Sequence, residues 1–372
     1  MYNAKVLSGS PIDTHVTAKL DQIAQCLIDW QQKHGRHHLP WQHQSAYHVW
    51  ISEIMLQQTQ VATVVPFYNR FIQRFPDVDT LAHAALDEVL VYWAGLGYYS
   101  RANHIHKAAQ LIISDFQSRL PQSIEALQSL PGIGRSTAGA ILSLGYQQSA
   151  PILDGNVKRM LARLFEISEP LNSSRTMKQL WQLSESITPH HQCHIFTQAT
   201  MDLGATVCTK KAPHCQQCPI NHHCLSHKHN SVDTIPVKPV TIKKTPLNYY
   251  LIFIKSHCKK RILMKKRALG GIWGGLYCPL IFEDPSEQQA WLEEHKEQLL
   301  HITALGEHRH QLTHKRLYLS SQLVTLDKSL SDHLESEFTG FNDASEIATP
   351  KPIATILRNI YEQTQDCLLP ET

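Results

Sequence analysis

Leu130-Pro131-Gly132-Ile133-Gly134-Arg135-Ser136-Thr137 joins two apolar helical patterns through a tight glycine turn. Two glycines let the backbone come close to a ligand, and the N–H groups that open the next helix can hold a phosphate without side-chain charge. Taken alone, the stretch reads equally well as a bare helix-turn-helix connection. A cysteine cluster downstream narrows the choice. Cys208, Cys215, Cys218 and Cys224 sit in one 17-residue segment with the spacing C-x6-C-x2-C-x5-C. Four thiolates gathered by short loops make a closed metal site that selects zinc or iron–sulfur over hard cations.

Two carboxylates flank the hairpin. Downstream, Ile152-Leu153-Asp154-Gly155-Asn156-Val157-Lys158-Arg159 places Asp154 at the start of a helix, where free N–H groups and the macrodipole stabilise an anion. A plain N-cap is the alternative; as a site residue, Asp154 is expected to stay ionised at neutral pH. Upstream, Glu53 lies within Tyr47-His48-Val49-Trp50-Ile51-Ser52-Glu53-Ile54-Met55-Leu56-Gln57-Gln58-Thr59-Gln60. On a helix it is one turn from Val49, Trp50 and Leu56, so desolvation should raise its pKa and fit it to donate a proton. One carboxyl kept protonated and one kept ionised is a chemistry for breaking glycosidic bonds.

At 372 residues, 42% hydrophobic and 18% charged, the chain has room for two domains with ordinary cores. A net charge of +3 permits a nucleic-acid partner without arguing for one. The 24 histidines fall mostly in polar runs such as His37-His38 and carry no common role. Nine cysteines, an odd number, and a polar Met1 to Thr17 read as a reducing cytosol. No apolar run approaches the ~20 residues that span a bilayer, so a membrane role is not expected.

Residues 1–20 read as an N-terminal tail and 21–229 as helices, among them Leu81–Trp93, Ser136–Leu144, Val157–Phe165 and Met177–Ile187. Residues 230–247, with their prolines and lysines, suit a linker. Residues 248–372 change period: strands are predicted at Tyr249–Ile254, Arg261–Met264 and Leu317–Leu323, and helices at Pro285–Leu300 and around Ile353–Ile360. The fold class is an all-α helix-hairpin-helix half with the cysteine loop 208–224, followed by an α+β domain.

A helix-hairpin-helix followed by this cysteine spacing resembles the endonuclease III-like DNA glycosylases. Leu39-Pro40-Trp41-Gln42, Ser52 to Val61, Gly95-Leu96-Gly97-Tyr98-Tyr99, Leu153 to Arg159 and Met201-Asp202-Leu203-Gly204-Ala205 extend the similarity, in unbroken order from Leu39 to Cys224, to the MutY family of adenine DNA glycosylases. The resemblance implies excision of adenine mispaired with 8-oxoguanine or guanine in duplex DNA, by a monomer carrying a 4Fe-4S cluster on the four cysteines. It implies that Glu53 protonates the base, that Asp154 stabilises the sugar cation, and that Asn156 and Gln198 support the base pocket. Gln58 and Tyr98 would enter the base stack, and Gly132, Gly134 and Lys158 would meet the DNA backbone. Ser136 stands where the bifunctional endonuclease III branch, which acts on oxidised pyrimidines, has its nucleophilic lysine, so base removal without strand cleavage is implied. Lys265-Lys266-Arg267 and Gly271 to Tyr277 resemble the Nudix-like lesion-recognition domain of the family; without a run of clustered glutamates, no pyrophosphatase activity is expected. Where the family recognises 8-oxoguanine with a Phe-Ser-His turn, this chain has Leu312-Thr313-His314. The hydroxyl of Thr313 and the imidazole of His314 are retained and the aromatic is lost.

Overall fold

The computed structural model describes residues 14–237, 244–257, 261–312, 314–342 and 347–366. They form two compact units, one of residues up to 83 together with 104–241, the other of residues 84–103 together with 242–372.

The first unit is helical. Its elements are α1 (Thr14–His34), α2 (Ala46–Leu56), α3 (Val61–Arg74) and α4 (Val78–His83). After α5 (Leu86–Trp93) of the second unit, α6 (Ser100–Phe116) is followed by α7 (Ile124–Gln128), α8 (Arg135–Ala140), α9 (Gly155–Leu164), α10 (Ser174–Ile187), α11 (Cys193–Thr206) and the short α12 (Leu225–Lys228). The core is made by helical stripes: Leu20, Ile23 and Leu27 of α1 meet Val157, Met160, Leu161 and Leu164 of α9, Leu180, Leu183 and Ile187 of α10, and Phe196, Ala199 and Leu203 of α11. Truncating a residue such as Leu161, which is fully buried, to alanine costs about 2–5 kcal/mol at sites of this kind.

Several sequence-based boundaries move. The helix expected over Leu81–Trp93 is broken at Ala84-Ala85, where Ala85 is extended (φ −66°, ψ 139°) and caps α5. Two alanines would not break a helix by propensity; the break falls where the chain passes from one compact unit to the other. The helix expected over Ser136–Leu144 begins at Arg135 and widens after Ala140 into a π-turn, Ile141–Gly145. The buried Ser143 hydroxyl lies 2.7 Å from that of Thr197. In the segment 230–247, Ile235 is buried in the helical core and a strand starts at Thr245, while residues 238–243 lie outside the described residues.

The second unit is built on a mixed sheet of β1 (Thr245–Lys255), β2 (Ile262–Lys266), β3 (Tyr277–Cys278), β4 (Leu280–Phe282), β5 (Leu299–Gln311), β6 (Lys315–Leu326) and β7 (Thr339–Phe341). The main order is β3-β2-β1-β6-β5. β1 and β6 are parallel over Thr245↔Lys315 to Lys255↔Thr325, and β5 and β6 form an antiparallel hairpin. Period-2 alternation sends Tyr249, Leu251 and Phe253 to one face with Ile353, Ile356, Leu357 and Ile360 of a C-terminal helix, and Ile252 and Ile254 to the other with Leu292 and Leu330. The helices involved are α13 (Pro285–Glu294), α14 (Lys328–Leu334) and α15 (Lys351–Asp366). The helix expected to run to Leu300 therefore ends at Glu294, and β5 begins at Leu299. Among the described residues, no helix is long and apolar enough to cross a membrane.

Candidate active site

Glu53 stands on α2, whose neighbours Val49, Trp50, Ile51, Ser52, Ile54 and Met55 are all buried. A helix that is apolar nearly all round sits in a core, and the carboxyl it carries is drawn away from water. Burial, reinforced by the negative charge of Asp154, pushes the Glu53 pKa up to about 8. The expected direction holds, and the group is protonated at neutral pH.

Asp154 is the N-cap of α9, with extended backbone (φ −75°, ψ −178°), and its Oδ1 accepts the Val157 N–H at 2.7 Å. The cap, the Asn156 N–H and the charges of Arg159 and Lys158 all favour the carboxylate, yet burial outweighs them and the pKa is raised. The cap alone would have given a downward shift. The two carboxyls thus share one desolvated neighbourhood, and each feels it in the same direction.

Asn156 and Gln198 are held by contacts that no local pattern announces. Asn156 Oδ1 accepts from Arg159 Nη2 at 2.9 Å, and the same guanidinium donates to the carbonyls of Gly204 (2.6 Å) and Cys208 (2.8 Å). A side chain on Gly204 would meet Asn156 Cβ at 2.6 Å, which explains the glycine in Met201-Asp202-Leu203-Gly204-Ala205. Gln198 Nε2 donates to Asp202 Oδ1 at 2.8 Å. Asp202, fully buried, also accepts the backbone N–H and Nε of Arg36, each at 2.8 Å. Arg36 and Asp202 are 166 residues apart, and Arg159 and Cys208 are 49 apart. Long separations of this kind left Arg36, Arg159 and Asp202 out of the sequence-derived site.

Ser136 Oγ accepts the Leu153 N–H at 3.0 Å, so its hydroxyl braces the residue that precedes Asp154. In the hairpin, Gly132 has φ +82° and a Cβ there would meet His104 Cβ at 2.9 Å. Gly134 N-caps α8 and faces open space. Lys158 is half-buried one turn from Asp154. Gln58 is exposed in the left-handed region (φ +58°).

Cys208, Cys215, Cys218 and Cys224 line one cavity of about 30 Å³ with Met160, Arg163, Leu164 and Leu203, and it is partly open to solvent. Burial and the proximity of the other sulfurs raise the thiol pKa values of Cys215 and Cys224 and push that of Cys218 up to about 12. Four thiolates in such a place need a positive centre among them. Arg163 supplies part of it, donating to Cys208 Sγ at 3.4 Å and to the Thr209 carbonyl at 2.7 Å. Among the described residues, no three His, Cys, Asp or Glu side chains converge tightly enough to hold a single metal ion. The four sulfurs line the wall of one cavity, and thiolates are the donor set that zinc and iron–sulfur groups take.

The remaining sequence-derived residues belong to the second unit. Tyr98 is 45% exposed, with φ +51°, and Arg101 stands 5.3 Å from its ring centroid. His314 is exposed in the turn of the β5–β6 hairpin, closed by Leu312 N–H to the Lys315 carbonyl. Leu312 packs against the sheet core. Thr313 lies outside the described residues.

This helical fold, with a hairpin ahead of a capped aspartate, is that of a base-excision glycosylase. Residues 51–186 match the HhH-GPD superfamily base excision DNA repair protein profile, and residues 249–359 match the NUDIX domain. The adenine DNA glycosylase of Buchnera aphidicola (subsp. Baizongia pistaciae) is 38% identical over 339 residues, which cover 90% of this chain and 96% of that one. The Homo sapiens adenine DNA glycosylase is 40% identical over 232 residues, 59% of this chain and 42% of that one. A thermostable thymine-DNA glycosylase structure superposes with a TM-score of 0.52 at 25% identity, over 57% of this chain and 99% of that one. The chain belongs to the adenine DNA glycosylases.

Proposed function

We propose that the protein removes adenine opposite 8-oxoguanine or guanine in duplex DNA without cutting the strand, acting as a monomer in the cytoplasm. The observation that carries this reading is Glu53, whose pKa is pushed up to about 8 by burial and by the negative charge of Asp154, whose own pKa burial raises. The target adenine is flipped out of the stack to reach the pocket. Glu53 delivers its proton to N7, so the electron pair of the breaking C1′–N9 bond is drawn into a neutral leaving base. Asp154 faces the oxocarbenium-like sugar that forms, and its charge is worth most where water is excluded. Water then adds at C1′ and gives its proton to the now ionised Glu53, which restores the acid. Asn156 and Gln198, fixed through Arg159 and Asp202, shape the pocket.

Gly132, Gly134 and Lys158 hold the phosphate backbone, while Gln58 and Tyr98 wedge into the stack beside the lesion. In the C-terminal domain, taken as residues 248–372 after the linker 230–247 and the glycosylase domain 21–229, Thr313 and His314 contact the 8-oxoguanine. Leu312 serves the core rather than the lesion. Ser136 supports the monofunctional reading, since it offers no amine and its hydroxyl is occupied by Leu153. Cys208, Cys215, Cys218 and Cys224 would hold a 4Fe-4S cluster. When bound, the cluster supplies structural order, presenting the loop 208–224 with Lys210 and Lys211 to the DNA backbone.

The test is single-turnover reaction with duplexes carrying adenine opposite 8-oxoguanine, guanine or thymine, with and without alkali. Base release on the first two, with strand breaks only after alkali, is the expected result. Breaks that appear without alkali as fast as base release would overturn the monofunctional reading. Yellow-brown protein containing iron, as opposed to colourless protein containing zinc, decides the metal.

A further inference from the structure

The loop that carries Tyr98 is anchored, within the second unit, to the C-terminal sheet. Tyr99 donates its hydroxyl to the Thr349 carbonyl at 3.0 Å and accepts the Gly95 N–H at 3.3 Å. Thr349 is buried and donates in turn to the Tyr277 carbonyl at 2.8 Å, while the Tyr277 N–H donates to the Ala348 carbonyl at 2.9 Å. A second tie runs from Asp87 on α5 to Lys266 on β2, with the Tyr277 hydroxyl 3.5 Å from the other carboxylate oxygen. The loop is also stiffened from inside: Trp93 Nε1 and Arg101 Nη2 both donate to the Gly97 carbonyl at 3.1 Å.

We infer that the C-terminal sheet is the mount of the Tyr98 wedge, with Tyr99 and Lys266 as positioning residues that act on base release through Tyr98. Neither residue touches the reacting atoms. Tyr98 needs such a mount because its own backbone sits in the left-handed region, which a tyrosine leaves when unsupported. Of the two ties, Tyr99–Thr349 is the stronger. The Lys266–Asp87 pair is solvent-exposed on both sides and mainly orients α5. The sheet therefore has a part in catalysis in addition to lesion recognition, and a change at neither Glu53 nor Asp154 alters the rate by loosening the wedge.

The inference rests on Tyr98 being the wedge, and the experiment separates the two. Full-length Tyr99→Phe and Lys266→Met proteins are made alone and combined with Tyr98→Leu. Each is mixed with an adenine:8-oxoguanine duplex that carries 2-aminopurine next to the mispair, whose fluorescence rises on unstacking. With Tyr98 present, Tyr99→Phe should lower both the fluorescence rise and the single-turnover rate about 3- to 10-fold, and Lys266→Met by less, at nearly unchanged melting temperature. In the Tyr98→Leu background neither change should have a further effect. Amide hydrogen exchange over residues 94–99 of the free protein should speed up in Tyr99→Phe, a readout independent of DNA. Full additivity with Tyr98→Leu, or unchanged exchange and fluorescence, overturns the inference. If Tyr98→Leu itself leaves fluorescence and rate unchanged while exchange speeds up in Tyr99→Phe, the wedge reading falls and the anchoring stands alone.

Discussion

Replacing Glu53 by glutamine should make the protein more stable at alkaline pH while abolishing base release. The carboxyl is held with its pKa near 8, against an ordinary value of 4.5, chiefly by burial. That displacement of about 3.5 units, at ~1.4 kcal/mol each, amounts to at most ~5 kcal/mol, and relaxation and water entry reduce it to about 2–4 kcal/mol. The sign is set by which state keeps the proton. Below pH 4.5 the group is neutral in folded and unfolded chains alike. As pH rises through 4.5 the unfolded chain releases its proton and the folded chain does not, so stability falls until the folded group also ionises near pH 8. Glutamine, neutral and of the same shape, has no such loss. Urea unfolding of both proteins at pH 5, 7 and 9 without DNA should give nearly equal stabilities at pH 5 and a gap of about 2–4 kcal/mol in favour of Glu53→Gln at pH 9. A gap that is the same at pH 5 and pH 9 would refute the buried-acid argument, whatever the variant does to catalysis.

Asp154→Asn should slow base release on the order of 10³-fold, because the charge facing the sugar cation is lost, and rapid-quench single-turnover kinetics measure it. The same change removes one cause of the raised Glu53 pKa, so the fall in stability should still begin near pH 4.5 but level off at lower pH and be smaller. Ser136→Ala removes the acceptor for the Leu153 N–H and should cost about 1 kcal/mol in thermal or denaturant unfolding, with slower base release and still no strand breaks. Gly204→Ala forces a methyl to within 2.6 Å of Asn156 Cβ; a loss of about 1–3 kcal/mol together with slower base release is expected, and unaltered kinetics would remove Asn156 from the pocket. Cys218→Ser should lower the iron content and the melting temperature together; unchanged metal analysis would exclude it as a ligand.

The parts of the fold that were legible in the sequence are those where one strong pattern acts alone. The α9 stripe of Val157, Met160, Leu161 and Leu164 is buried as its spacing requires, and Asp154 caps it. β5 was not legible because its burial scarcely alternates: most of Leu299–Gln311 is exposed, and it is held by pairing with β6 rather than by an apolar face. The break at Ala84-Ala85 runs against local propensity and comes from tertiary packing. At the candidate site, Glu53 stands out as an acid in an apolar helix, whereas Asp154 at a helix start reads as an ordinary N-cap and is singled out by the family resemblance. Arg159, Asp202 and Arg36 could not be found, since their meaning lies in carbonyls and carboxylates brought near by folding.

Gln58 and Tyr98 share a backbone conformation that glycine adopts freely and other residues adopt at roughly 1 kcal/mol or more. A redesign guided by stability would place glycine at both positions and obtain a sturdier molecule without the two side chains proposed to enter the base stack. On that proposal, these sites are where thermal robustness and repair draw the sequence in opposite directions, and a library selected only for folding should drift toward glycine there.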